Sequence, residues 1–112
     1  MASAADAQQR QPTVADLNTV LTGQLAIVEP LAPEHEAGLI EAATDPAMFD
    51  WMPVDMTSTE ALREWLVTTL ESARAGREIP FAIIDARTGA VVGSTRFLEL
   101  RFEHLRAEIG WT

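Results

Sequence analysis

The last six residues of the chain, AEIGWT, contain a carboxylate that can take part in proton transfer. Because successive side chains of a strand point to opposite faces, Glu108, Gly110 and Thr112 share one face of a predicted strand. A carboxylate on such a face can act as a general base. It can equally form a cross-strand ion pair with Arg96 or Arg106. The residues alone leave both interpretations open.

The other reactive side chains do not form a set with a known chemistry. His35 and His104 are isolated, and the H-x-x-x-H spacing of a metal site does not occur, so we expect no metal. Ser58 and Ser94 lack the His and Asp context that activates a hydroxyl nucleophile. The absence of cysteine excludes a disulfide framework, and the six glycines are too far apart for a phosphate-binding loop.

Composition and charge limit the class of protein. The 112 residues suffice for one domain, and none of their apolar stretches approaches the roughly 18 residues of a membrane helix. The net charge of −9 opposes binding to nucleic acid or to an anionic membrane, so we expect neither as a partner. Since the N-terminus has no apolar signal segment and cysteine is absent, we expect a cytoplasmic protein.

Periodicity and turn residues predict the first elements. Residues 1–13 are small and polar and predict a disordered tail. Residues 20–29 alternate between apolar and polar and predict a first strand. Residues 31–46 predict a helix that begins at Pro33 and stops near Asp45.

The middle of the chain predicts an apolar loop and a second helix. The stretch AMFDWMPVDM has no clean period and indicates a loop or a single helical turn. The spacing of Thr57 and Glu60 predicts a capping box, and Gly76 is placed to close the helix in a left-handed cap. One face of this helix carries its apolar positions, which are Leu62, Trp65, Leu66, Thr69, Leu70 and Ala73.

The remainder predicts an antiparallel meander. Residues 81–85 and 91–100 are β-rich and joined by a hairpin turn, with Gly93 suggesting a bulge. A last strand starts near Arg106. The predicted order β-α-α-β-β-β indicates an α+β domain with a mainly antiparallel sheet and two helices over residues 14–112.

This order, together with specific stretches, resembles the amino-terminal half of a GNAT-superfamily N-acetyltransferase, in particular the RimJ/RimL-like branch. The stretches are LTGQLAIVEPLAPEHEAGL, the Trp65-Leu66 pair, PFAIIDARTGAVVGSTRF and AEIGWT, and they cover most of residues 21–112. The resemblance implies acetyl transfer from acetyl-CoA, as co-substrate, to an amine acceptor such as a protein N-terminus, an amino acid or a small amine.

Family members follow the AEIG-like strand with a Q/R-x-x-G-x-G/A loop that holds the pyrophosphate of acetyl-CoA, and with a fifth strand. Neither occurs here. The resemblance therefore implies a partial chain, truncated after the fourth strand, that lacks the cofactor-binding half and is inactive alone. The alternatives are a non-catalytic binding or dimerising module, which leaves a homodimer open, and a non-functional gene remnant.

The resemblance also implies roles for the terminal strand. Glu108 corresponds to a family glutamate that serves as general base in some relatives. Gly110, Trp111 and Thr112 stand where relatives offer backbone groups to the pantetheine arm. Gly110 can instead mark a bulge, and Trp111 can instead belong to the core.

On the acceptor side, the resemblance points to two further pairs. Thr95 and Arg96 are expected to face the acceptor cleft, where Arg96 suits a carboxylate or a peptide carbonyl. Trp51 and Met52 belong to the segment that walls the acceptor pocket in relatives. A surface ion pair for Arg96, and plain core packing for Trp51 and Met52, remain open as alternatives.

Overall fold

The computed structural model describes residues 11–50, 52 and 55–112, with only the backbone of Pro46. Of the tail predicted to be disordered, residues 1–13, the first ten residues lie outside the described residues, whereas the N–H of Thr13 donates to Oδ2 of Asp16 over 2.8 Å. The described chain forms one five-stranded antiparallel sheet whose strands follow one another in chain order. The strands are β1 (Leu21–Thr22), β2 (Ala26–Pro30), β3 (Ile79–Asp85), β4 (Val91–Arg101) and β5 (Arg106–Gly110).

Within the described residues, three α-helices accompany the sheet: α1 (Val14–Leu17), α2 (Glu36–Ala42) and α3 (Thr59–Arg74). Short 3-10 turns occupy Pro33–His35, Pro46–Phe49 and Phe102–His104. The α+β class and the meander are confirmed. Within the described ranges, none of the helices has the length and apolarity to cross a membrane.

The first predicted strand, over residues 20–29, is wrong because the chain reverses within it. The N–H of Gly23 donates to the carbonyl of Ala26 over 2.9 Å, and Leu21 pairs with Val28 across the resulting hairpin. The chain reverses at Gln24 and Leu25, the two residues that this hydrogen bond encloses. The sheet therefore gains an extra edge strand, β1, and counts five strands instead of four.

The hairpin between β3 and β4 is confirmed, and so is the bulge beside Gly93. Gly89 adopts a φ of +76°, and its N–H donates to the carbonyl of Asp85 over 2.8 Å. Further along, the register shifts, because Ile84 pairs with Val91 whereas the preceding residue of β3 pairs with Gly93. The residue between Val91 and Gly93 is thus the extra one of the bulge.

The predicted helix over residues 31–46 begins as expected with a turn at Pro33, but α2 ends at Ala42. His35 secures its start. The buried imidazole accepts the N–H of Ala32 at Nδ1 over 2.9 Å, and its Nε2 lies 2.8 Å from Oε1 of Glu29 in β2. Because Nδ1 is an acceptor, Nε2 carries the proton and donates it to the carboxylate.

Helix α3 starts one residue later than its predicted capping box. The hydroxyl of Ser58 accepts the N–H of Ala61 over 3.1 Å, whereas the N–H of Thr57 donates to Oδ1 of Asp55 over 2.9 Å. The prediction of Thr57 and Glu60 as a capping box is therefore wrong, because Ser58 occupies the cap. The hydrogen bonds from the backbone and then the side chain of Thr57 lower the pKa of the Asp55 carboxyl.

The core lies where α2 packs on β4 and α3 packs on β3. Its buried members are Leu31, Leu39, Ala43, Leu62, Leu66, Ala82 and Ile84. Leu66 is 3% exposed, as its helical spacing predicted, whereas Trp65 is only partly buried and lines a cavity described below. Gly76, with a φ of +75°, lies just beyond the end of α3, as predicted.

Replacing Leu66 with Ala should lower the free energy of unfolding by about 2–5 kcal/mol, because a buried side chain is lost and a cavity is left. Val67 provides a matched control on the next position of α3, since it is 58% exposed. Val67→Ala should change stability by about 0.5 kcal/mol or less. Chemical denaturation of both variants measures the difference, and equal effects would contradict the assignment of the buried face.

Candidate functional site

A cavity of about 650 Å³ lies between α3 and the strands β4 and β5. We call it the Arg96 cavity. Its walls combine polar and aromatic side chains, among them Asp55, Glu64, Trp65, Glu78, Arg96 and Trp111. Three carboxylates and one guanidinium make the lining negative overall, so the cavity favours cationic molecules over anionic ones.

Arg96 lines this cavity, and its side chain is largely buried, since the residue is only 9% exposed. Its Nη1 donates to both carboxylate oxygens of Glu78, over 3.0 and 2.8 Å. The guanidinium carbon also lies 5.7 Å from the ring centroid of Trp65 and 5.0 Å from that of Trp111. A buried charge needs a partner, and here a carboxylate and two aromatic rings provide it together.

Four elements bring these residues together. Glu78 directly precedes β3, Trp65 lies on α3, and Arg96 lies on β4 opposite Pro80 and Gly110. Trp111 follows the last residue of β5 and adopts a φ of +54°, a left-handed conformation that non-glycine residues rarely hold. This backbone geometry ends the alternation of β5, and the Trp111 ring lies against the guanidinium.

Two interpretations of Arg96 were open, a role in a cleft and an ion pair with a glutamate. In the structure Arg96 lines a cavity and also pairs with a glutamate. The partner is Glu78, which sequence reasoning missed. The hypothesis that Arg96 pairs with Glu108 is wrong, because Glu78 takes that position. The one hint in the sequence is that Glu78 stands just before a strongly apolar strand. Its pairing with Arg96 depends on the register of β3 and β4, which the sequence does not give.

A second cavity of about 270 Å³ adjoins the first, because Met56, Trp65 and Trp111 line both. The predicted wall residue Met52 lines it. Phe49 lines it as well and packs against the core cluster. Trp51, the other predicted wall residue, lies outside the described residues.

Two further predicted site residues, Thr95 and Thr112, come together near the end of β5. The hydroxyls of Thr95 and Thr112 lie 2.8 Å apart, and Thr112 lines the second cavity. Gly110 pairs with Arg96, and a Cβ at Gly110 would lie 3.1 Å from Cδ2 of Leu98, so a larger residue would crowd this strand pair. The irregularity of this pair lies between Leu98 and Arg101, so Gly110 itself is not at a bulge.

Glu108 lines neither of these cavities. It pairs with Leu98, and its side chain is exposed. Among the described residues, no hydrogen bond or ion pair engages its carboxylate. Its strand, β5, pairs with β4 alone in the described sheet, which leaves the backbone groups along the other edge of β5 available.

No cluster of three or more histidines, aspartates or glutamates suited to a metal ion occurs among residues 11–50, 52 and 55–112. The described residues offer three features for chemistry. They are a negative cavity with a guanidinium held by Glu78, the open edge of β5, and the carboxylate of Glu108, which has no partner among the described residues.

Comparisons with known proteins point to one family. The model of the acetyltransferase (GNAT) domain matches residues 26–112. A solved GCN5-related N-acetyltransferase from Brucella melitensis superposes with a TM-score of 0.74 at 20% identity, over 91% of this chain and 45% of that one. A GNAT-family acetyltransferase from Bacillus anthracis superposes with a TM-score of 0.63 at 17% identity, over 84% of this chain and 52% of that one.

A third structure, the ribosomal-protein-S5-alanine acetyltransferase from Vibrio fischeri, superposes with a TM-score of 0.59 at 13% identity, over 82% of this chain and 54% of that one. At these identities the three structures share the fold with this chain. The chain spans about half the length of each of them. Among curated protein sequences, no match was found.

Replacing Glu78 with Gln should lower the free energy of unfolding by about 3 kcal/mol, because Arg96 would keep a buried charge without its counter-ion. Glu71→Gln is the matched control, since Glu71 is exposed on α3 and does not line the Arg96 cavity. Thermal and chemical unfolding of both variants measures the effect. If both changes cost equally little, the buried ion pair would not be a stabilising feature of the fold.

Proposed function

Because the chain belongs to the GNAT acetyltransferase family, we propose that it forms the acceptor-binding half of an acetyl-CoA-dependent N-acetyltransferase of the RimJ/RimL-like branch. The observation that carries this proposal is the negative Arg96 cavity next to the open edge of β5. In this proposal residues 14–112 are the amino-terminal half of the domain, and the cofactor-binding half lies outside them. Function in the cytoplasm fits a chain without cysteine.

The acceptor is an amine that enters the Arg96 cavity. Amines arrive as ammonium ions at neutral pH, and the carboxylates of Asp55 and Glu64 on the cavity wall attract them. Thr95 and Arg96 on β4, and Met52 in the lining of the second cavity, are proposed acceptor-binding residues. Trp51, which lies outside the described residues, is the fourth. The acceptor itself is a protein N-terminus, an amino acid or a small amine, and the name of the Vibrio fischeri structure, a ribosomal-protein-S5-alanine acetyltransferase, favours a protein acceptor.

Acetyl-CoA supplies an activated acetyl group as a thioester. On this chain, the proposed contacts are the backbone groups of Gly110, Trp111 and Thr112 at the end of β5. Gly110 has no side chain to block the approach of the pantetheine arm to the strand edge, and edge backbone groups can accept a partner as an added strand does. The lining of the second cavity by Trp111 and Thr112 supports an approach from that side.

Glu108 is the proposed general base. Its carboxylate has no ion-pair partner among the described residues, so it is free to accept a proton. It lies on the same strand face as Gly110, two residues before the proposed cofactor contacts. Glu108 takes one proton from the ammonium, directly or through water, and the neutral amine then attacks the thioester carbon. The bond from that carbon to sulfur breaks, and CoA leaves as its thiol with the second proton of the attacking nitrogen.

In a protein that holds both halves of the domain, Glu108→Gln should lower kcat by about 10²–10⁴-fold, because a general base typically contributes that factor. The KM for acetyl-CoA should barely change, since the carboxylate does not bind the cofactor. The acidic limb of the pH–rate profile should flatten as well. Glu103→Gln, an exposed change in the turn before β5, is the matched control.

A near-normal kcat with an unchanged pH profile for Glu108→Gln would exclude Glu108 as the base. The melting temperature of the variant must be measured alongside, so that a loss of folding is not mistaken for a loss of catalysis.

The 112-residue chain alone should not bind acetyl-CoA with low-micromolar affinity. The pyrophosphate-binding loop of the family is not among its residues, and in this family that loop supplies backbone amides to the phosphates. Calorimetric titration of the chain with acetyl-CoA tests this. Saturable binding in the low micromolar range would contradict it and would locate the cofactor site within these residues.

A further inference from the structure

The fold uses only part of the hydrogen-bonding capacity of Arg96. A guanidinium has five N–H donors, and only those on Nη1 are directed to the oxygens of Glu78. The donors on Nε and Nη2 have no acceptor among the residues that the structure describes. Arg96 is nine-tenths buried, yet it lines the cavity of about 650 Å³, so these donors lie where a bound molecule can meet them.

The surroundings of Arg96 hold these donors in one orientation. Glu78 fixes Nη1 through two contacts, of 3.0 and 2.8 Å, and its side chain is itself only 13% exposed. The rings of Trp65 and Trp111 lie 5.7 and 5.0 Å from the guanidinium carbon. A donor that is held in place before binding loses little entropy when it forms its hydrogen bond.

A second donor lies on the same wall. The indole Nε1 of Trp65 is buried and has no hydrogen-bond partner within the described part of the chain. A buried N–H without an acceptor is costly, and such groups are rare in native proteins. Arg96 and Trp65 both line this cavity, and each carries a donor without an acceptor among the described residues. An oxygen atom is the partner that both donors can bind.

We propose that Arg96 is a specificity-determining residue that binds a carbonyl or carboxylate oxygen of the amine acceptor, and that Glu78 is the positioning residue that holds its guanidinium. Trp65 contributes its indole N–H to the same oxygen site. This proposal rests on the proposed function, because it describes how the acceptor of that reaction is selected.

The charges of the cavity agree with an acceptor that carries both groups. Asp55 and Glu64 attract its ammonium group, while the free donors of Arg96 bind its oxygen. A plain amine satisfies only the carboxylates and leaves the donors of Arg96 without a partner. It should therefore bind about tenfold more weakly than an amine that bears a neighbouring oxygen.

Three small amines with the same branched carbon skeleton test this. Alaninamide carries an amide carbonyl, alanine carries a carboxylate, and isopropylamine carries neither. Titration of the 15N-labelled chain, followed by NMR, gives the affinity of each from the indole N–H signals of Trp65 and Trp111 and the Nε–H signal of Arg96. Alaninamide or alanine should bind about tenfold more tightly than isopropylamine, and should shift the signals of Arg96 and Trp65.

The preference between alaninamide and alanine identifies the source of the oxygen, either an amide carbonyl as in a peptide or a free carboxylate as in an amino acid. Either preference supports the proposal. Equal affinity for isopropylamine would overturn it, and so would the failure of all three amines to bind.

Variants separate recognition from folding. Arg96→Met and Glu78→Gln should reduce the tenfold preference toward one, whereas Arg101→Met, on an exposed arginine of the same strand, should leave it unchanged. Trp65→Phe keeps an aromatic ring and removes only the N–H, so it tests the oxygen site even where Arg96→Met does not fold. It should weaken the preference, and a full preference in Trp65→Phe and Glu78→Gln would overturn the proposal.

These measurements are independent of acetyl transfer. If the preference for an oxygen is absent while Glu108→Gln abolishes turnover, the oxygen-binding role of Arg96 is wrong and the proposed function stands. If the preference is present but no acetylation of any amine occurs in the protein with both halves, the proposed function fails while the binding site remains.

Discussion

The buried guanidinium of Arg96 is the constraint on which the rest of the described structure depends. A charge that is nine-tenths buried is tolerated only with a counter-ion, and Glu78 supplies it from the residue that precedes β3. The two aromatic neighbours, Trp65 and Trp111, come from α3 and from the end of β5. The guanidinium therefore fixes the relation between a helix and three strands, and the cavity forms around it.

The hydrophobic core and the polar cavity share the helix α3 but divide its surface. Leu62 and Leu66 face the core over β3, while Glu64 and Trp65 border the cavity. The close contact of α2 with the sheet also depends on a small residue, because a Cβ at Gly38 would lie 2.7 Å from Cβ of Val91. A larger residue at position 38 would push α2 away from β4.

Much of this architecture is predictable from local patterns, and what is missed depends on long-range pairing. Helix α3 and the hairpin at Gly89 follow from apolar spacing and turn residues, and both are confirmed. The reversal at Gln24 and Leu25 was missed because a two-residue turn interrupts an otherwise continuous alternation. Glu78 was missed because its partnership with Arg96 exists only after α3 and the strands have come together. The role of Glu108 remains a prediction.

The central claim is that Glu78 and two tryptophans hold the guanidinium of Arg96 in place for a ligand. Relaxation of the 15N nucleus at Nε of Arg96 measures that directly in the unliganded chain. For Nε of Arg96 we expect an order parameter close to the value of about 0.85 that is typical of rigid backbone. For Nε of the exposed Arg101 we expect a value below about 0.6. An Arg96 side chain as mobile as that of Arg101 would contradict the claim.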